Sequence, residues 1–260
     1  MTTLNLMRCR LNPAMLMRFK KLSRELGDNG QALQAQASSE KATGQGILRR
    51  VDDGMGYTLH AWLHEMFKDL APQPFRFVEK TGDVLGYTRA TAQELMEIAE
   101  AFASPQAFAA LEPDSLATKA MPAAWTAGRR LQVEVTTSPL ARFTNDKGRE
   151  VECDVYLRTL DRLGDATPSR EQVYAEWFRR QWGDALNFEQ VSLDSFSLVE
   201  LLRRPKVAGQ RKVANLVRPQ VTFSAVVEIA DPQAFAQRLT AGIGRHRAFG
   251  YGMVLLKPAP

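Results

Sequence analysis

Apolar residues alternate with polar ones from Leu4 to Leu11, with Met7, Cys9 and Leu11 on one side and Arg8 and Arg10 on the other. That period of two predicts a half-buried strand with a basic outer face. Pro13 then opens a helix to about Leu26, whose apolar stripe is Met15, Leu16, Phe19 and Leu22. Gly27 to Gly46 is rich in Gly, Gln, Ser and Ala with little to bury, and is expected to be a mobile loop or insertion. Helical spacing returns from about Gly56 to Lys68, with Asp53 as cap and Pro72 and Pro74 beyond the end. Its core stripe is Leu59, Trp62, Leu63, Met66 and Phe67.

Phe75 to Val78 and Val84 to Tyr87 read as a hairpin about Thr81-Gly82-Asp83. Thr91-Ala92-Gln93-Glu94 is a capping box for a helix with Leu95, Ile98, Ala99 and Phe102 inward. Pro105 to Thr126 shows neither period and reads as irregular, with a short helix and a connector. Leu131, Val133 and Val135 alternate as a strand after Arg129-Arg130. Strand, helix, two strands, helix, strand is the ferredoxin-like order.

A second round follows. Thr137 to Glu150 is polar and reads as a linker, and Val151 to Leu157 as a strand. Ser169-Arg170-Glu171-Gln172 caps a helix with Val173, Trp177 and Phe178 inward. Phe196 to Leu202 and Val221 to Ile229 are strand-like, Asp231-Pro232 opens a helix with Phe235 and Leu239 inward, and Met253 to Leu256 is the final strand. The expected fold is α+β: two tandem ferredoxin-like (RRM-like) domains with antiparallel sheets, over residues 1–137 and 138–260. The duplication rests on element order, because the two halves share no sequence similarity.

Composition narrows the class. The 260 residues are 45% hydrophobic and 24% charged, as in ordinary globular proteins. A net charge of +5 leans mildly toward anionic partners. Cys9 and Cys153 are the only cysteines and form no disulfide framework or zinc knuckle. No stretch approaches membrane-spanning length and the first residues lack a signal-peptide pattern, so a cytoplasmic protein without a membrane partner is expected.

Three stretches carry candidate chemistry. Gly242, Gly244, Gly250 and Gly252 are interleaved with Arg245, His246, Arg247, Phe249 and Tyr251. Glycine permits positive φ and close backbone approach, and arginine makes charge-assisted bonds to phosphate, so this stretch suits an anionic backbone. The plainer alternative is a turn entering the last strand. The second stretch is the polar side of the Gly56–Lys68 helix, where Tyr57, His60, His64 and Lys68 fall within an arc of roughly 80°. Histidine suits proton transfer near neutrality. The i,i+4 pair His60 and His64 also permits a zinc reading, but no third ligand stands out. The third is the basic run Arg203, Arg204, Lys206, Arg211 and Lys212, with a glycine turn and Arg218 beyond, and with Arg142 and Lys147 upstream. It reads as a basic hairpin tip with glycine at its turn, against a plain solvated loop.

Gly242-Ile243-Gly244-Arg245 through Gly250-Tyr251-Gly252, followed by Leu255-Leu256, resembles the C-terminal glycine-rich loop of the repeat-associated CRISPR RNA-binding (RAMP) superfamily. More narrowly it resembles the CasE endoribonucleases of type I-E Cascade. Tyr57-Thr58-Leu59-His60 is similar to that family's Tyr-x-x-His, and Pro219 to Phe223 with Asp231-Pro232 and Tyr174-Ala175-Glu176-Trp177 to its second-domain elements. The resemblance implies two facing ferredoxin-like folds that bind the stem-loop of a CRISPR repeat and cut precursor crRNA at its base without a metal or cofactor. It implies 2′-hydroxyl attack, a 2′,3′-cyclic phosphate, and retention as a subunit beside other Cascade proteins. A non-cleaving RNA-binding subunit of the same fold is the alternative. On this reading His60 is general base or acid, Tyr57 orients the ribose or phosphate, and Lys68 or a hairpin arginine offsets charge. The insertion at about 13–53 and Glu65, standing where some relatives carry lysine, depart from the family pattern.

Overall fold

The computed structural model describes residues 3–27, 49–51, 54–144, 146, 148–203, 206–207, 210–211 and 214–260, with backbone alone for 23–27, 49–51 and those within 200–216. In chain order the first half runs β1 (Asn5–Leu11), α1 (Pro13–Gly27), β2 (Arg49–Val51), α2 (Met55–Phe67), β3 (Phe75–Val78), β4 (Asp83–Thr88), α3 (Ala92–Phe102), α4 (Pro105–Phe108) and β5 (Leu111–Ala120). The second runs β6 (Arg130–Thr137), β7 (Leu140–Thr144), β8 (Glu150–Asp154), α5 (Val155–Leu163), α6 (Arg170–Trp182), β9 (Leu186–Arg203), β10 (Lys206–Val207), β11 (Gln210–Arg211), β12 (Ala214–Ile229), α7 (Pro232–Ala241) and β13 (Val254–Pro258).

The first sheet has the order β3-β4-β1-β5, all antiparallel. The second has the order β13-β6-β12-β9-β2. Without β2, each reads four-one-three-two in its own strands, which is the ferredoxin-like arrangement. β2 departs from it, because it comes from the first half yet pairs parallel with β9 through Arg49, Arg50 and Val51. The chain entering α2 is therefore a strand of the far sheet.

Period and caps account for most elements. Met7, Cys9 and Leu11 are buried along β1 while Arg8 and Arg10 face out. Thr91 and Glu94 close the capping box of α3, and Ser169 and Gln172 that of α6. Asp231 accepts from Gln233 and Ala234 N–H groups at the start of α7, where Pro232 needs no partner. All five expected core residues of α2 are buried, and Trp62 donates to the Ala107 carbonyl at 2.9 Å.

Several expectations are corrected. β6, expected to close the first unit, lies in the second sheet, and the closing strand is β5. Pro113 and Glu112-Pro113-Asp114 hide its period, and its register shifts opposite Arg8 and Arg10. An edge position tolerates both proline and bulge. The span from Thr137 to Glu150 is no linker: β7 and β8 pair there as a two-stranded ribbon. The strand expected to Leu157 stops at Asp154, whose side chain caps α5 by accepting from the Tyr156 N–H at 2.8 Å. In α6 the deepest residues are Tyr174, Phe178 and Trp182, spaced by four, with Val173 and Trp177 on the flank. Leu22 and Phe102 are exposed rather than inward. The expected cap Asp53 and most of the Gly27–Gly46 segment lie outside the described residues.

Two cores result, one under each sheet. Polar bonds also cross between halves: Tyr87 Oη donates to the Val254 carbonyl at 2.8 Å, and Arg76 meets Glu134 at 2.6 Å. Between the halves lies a cleft of about 630 Å³ edged by Phe75, Phe77, Gln220, Thr222 and Tyr251.

Candidate functional site

The site is assembled where α2 meets the glycine-rich stretch. Gly54, with φ +81°, precedes α2, and its carbonyl accepts from both the N–H and the hydroxyl of Thr58 at 2.9 Å. Gly56 then packs so tightly on the loop that a Cβ there would stand 2.6 Å from the Phe249 carbonyl oxygen. Only glycine permits this approach. His60 lies one turn further along the same side of the helix.

The loop is pinned from within. Ile243 N–H donates to the Gly252 carbonyl and Gly252 N–H to the Thr136 carbonyl, both at 2.8 Å. Thr137 Oγ1 donates to the Ile243 carbonyl at 3.0 Å. At Gly244, φ is +80° and a Cβ would fall 2.5 Å from Thr137 Oγ1 and 3.1 Å from the Trp177 ring. Gly242, Gly250 and Gly252 also have positive φ, and His246 joins them at +61°. Arg247 donates to the Ala241 carbonyl and so closes the loop's base.

On α2, His60 is half-buried and Tyr57 exposed. The rings of His60 and His64 meet edge to face, 4.5 Å between centroids. Burial, and then the like charge of His64, hold the His60 imidazole below its ordinary pKa. Lys68 lies two turns on and its ammonium is 3.5 Å from Glu65 Oε2, while Glu65 Oε1 accepts from the Ser104 N–H. Among the described residues no three His, Cys, Asp or Glu side chains gather where they could hold a metal ion.

Four other candidate residues fall into one basic cluster organised by an acid that the sequence did not flag. Glu152 of β8 receives Arg245 Nε at 2.7 Å and Arg142 at 3.4 Å, with His246 Nε2 at 3.5 Å and Arg218 at 4.0 Å. Arg142 also meets Glu150 at 3.2 Å. Burial pushes the Glu152 carboxyl up, but Arg245 and His246, with the hydrogen bonds of Arg245 and Arg142, outweigh it and hold it below the ordinary range. The structure thus brings Arg142, Arg218, Arg245 and His246 together. Arg203 ends β9 and Lys206 and Arg211 pair across the β10–β11 turn, in the backbone only. Arg204, Lys212 and Lys147 lie outside the described residues.

Glu152, Thr137, Trp177 and Gly56 are the contributors missed in the sequence. Glu152 carried no signal beyond an acid on a predicted strand; Gly56, next to Tyr57, could have been read as a contact glycine.

A sequence profile of the family described as "CRISPR associated protein" matches residues 6–258, nearly the whole chain. The chain belongs to that family. Among solved structures it is similar to the CRISPR endoribonuclease Cse3 bound to a 19-nucleotide RNA, at 16% identity and a TM-score of 0.60 over 98% of this chain and 100% of that one. Thermus thermophilus Cse3, bound to an RNA representing a pre-cleavage complex, matches with a TM-score of 0.56 at 16% identity over the same shares. A chain of a CRISPR RNA-guided surveillance complex matches at 17% identity and a TM-score of 0.51, over 80% of this chain and 92% of that one. At such identities the likeness speaks for the fold. None of the curated proteins matches the sequence. Among the described residues of this CRISPR-associated chain, no helix is long and apolar enough to cross a membrane.

Proposed function

We propose that this chain binds the stem-loop of a CRISPR repeat and cleaves precursor crRNA by attack of a ribose 2′-oxygen on the adjacent phosphate, leaving a 2′,3′-cyclic phosphate. The observation that carries the reading is the seating of the helix that bears His60 on the basic, positive-φ glycine loop through Gly56, one turn before His60. Family membership and the RNA-bound relatives of the same fold support it.

Cleavage of this type needs in-line placement, removal of the 2′ proton, protonation of the leaving 5′-oxygen and an offset for phosphorane charge. Burial and His64 favour neutral His60, the form that accepts a proton, which favours the general-base role over the general-acid role. Tyr57, one turn earlier and exposed, orients the ribose or phosphate. Lys68 meets Glu65 at 3.5 Å and keeps further donors, so it or an arginine of the basic cluster offsets the phosphorane charge. Arg203, Arg204, Lys206, Arg211 and Lys212 track the stem's phosphates. After cutting, the protein stays on the guide RNA as a subunit of the surveillance complex, beside other Cascade proteins.

The test is incubation with repeat RNA in excess chelator, with the products analysed for their 3′ ends. Cleavage that persists and ends in cyclic phosphate is expected. Binding without cleavage would instead mark a non-cleaving RNA-binding subunit, and loss of activity in chelator would refute metal independence.

A further inference from the structure

The Glu152 cluster has two layers. Glu152 and His246 form the inner one, their side chains 12% and 11% exposed. Arg245 and Arg142 form the outer one, at 36% and 44%. The carboxylate thus lies beneath Arg245 and Arg142, while Arg218, 15% exposed, is buried to nearly its own depth. Arg245 spends its Nε on Glu152, and its two terminal amino groups are not needed for that bond. Three arginines from the β7–β8 ribbon, β12 and the glycine loop surround this one carboxylate. Glu150 also pairs there, with Arg142 at 3.2 Å. Three arginines meet two carboxylates, and Arg245 and Arg142 are the cations that reach the surface.

We infer that Glu152 is a positioning residue for RNA: it anchors Arg245 from below, beside an Arg142 held between Glu152 and Glu150, so that the outer donors of Arg245 present a preformed site for a phosphodiester. This rests on the RNA-binding reading above and adds to it an acidic residue within the interface. A guanidinium held by one edge loses less freedom when its other edge meets phosphate, so binding there is stronger and more geometrically selective. A bare patch of arginines would attract any RNA in proportion to its charge.

The two views predict opposite results for an acid deletion. If Glu152 merely dilutes positive charge, neutralising it strengthens binding to every RNA. If it positions the arginines, neutralising it weakens binding to the RNA whose shape fits the site. Glu152→Gln keeps the side chain's size but turns one oxygen into an amide donor facing other donors.

The experiment measures dissociation constants of wild-type and E152Q protein for the repeat stem-loop and for a single-stranded RNA of equal length and scrambled sequence, with thermal melting in parallel. The expected result is roughly tenfold weaker repeat binding, no weakening toward the scrambled RNA, and an unmoved melting temperature. E152Q should also add little once Arg245 is already Gln, because the acid acts through that arginine. Tighter binding of both RNAs by E152Q overturns the inference, and so do an unchanged preference, losses that track a lower melting temperature, and additive effects of E152Q and R245Q. A wild-type protein that does not prefer the repeat RNA at all overturns the functional reading instead.

Discussion

In the proposed mechanism the imidazole of His60 is the group on which the chemistry turns. Replacing it with alanine is expected to slow cleavage by about 10²- to 10⁴-fold, the usual worth of a positioned general base, while stem-loop affinity stays near wild type; single-turnover rates and gel-shift titration check both. Its lowered pKa has a defined sign. Neutral His60 persists to a pH below the ordinary 6.5, so the rising limb of the pH–rate profile should have its midpoint under that value. Removing the neighbouring imidazole with His64→Gln should move the midpoint upward, and ring NMR titration of His60 reads the same shift without any substrate. For stability the sign follows from proton count: the unfolded chain binds more protons at this site, so His60 contributes a penalty that grows as pH falls below 6.5.

Among elements, α2 and the glycine loop fit only because of glycines at their contacts. Gly56→Ala sets two effects against each other. Alanine in a helix is worth up to about 1 kcal/mol over glycine, whereas forcing a methyl into a packed contact costs typically about 1–3 kcal/mol. The obstacle at 2.6 Å is a backbone carbonyl, which cannot swing aside as a side chain does, so the clash wins. The variant should melt lower than wild type and lose cleavage more than binding, as a displaced His60 would require. Gly244→Ala meets Thr137 and Trp177 in a positive-φ conformation and should be destabilised more strongly, measured by denaturant unfolding. These elements were unequally legible in the sequence. The stripes of α2 and β1 and both capping boxes stood out because one face of each element is dry. β5 did not, since an edge strand broken by Pro113 buries little. The β7–β8 ribbon pairs mostly partly exposed residues, so no period marked it either. In the site, the histidine helix and glycine loop were visible by residue type, whereas Glu152 emerges only when strands distant in sequence converge.

At the scale of the molecule, the halves join through apolar packing of Leu4, Leu6, Leu85 and Tyr87 on the second core and through specific polar bonds. Tyr87→Phe removes the hydroxyl bonded to the Val254 carbonyl and leaves that acceptor without it, so a loss of about 1 kcal/mol is expected in chemical denaturation. The surface reads through charge. If loop and ribbon arginines meet phosphates, affinity for the repeat should fall steeply with added salt, and Arg142→Gln should lower that slope by about one unit on a log–log plot.

The parallel seam between β2 and β9 has a consequence for how the polypeptide can be divided. Severing the gene at the connector 121–129 yields an amino-terminal fragment that still carries one rung of its companion's sheet. Neither piece is then a finished module: the carboxyl-terminal fragment has a raw border at β9 and the other an orphaned ribbon of three residues. Co-expressed, they should purify as a stoichiometric pair.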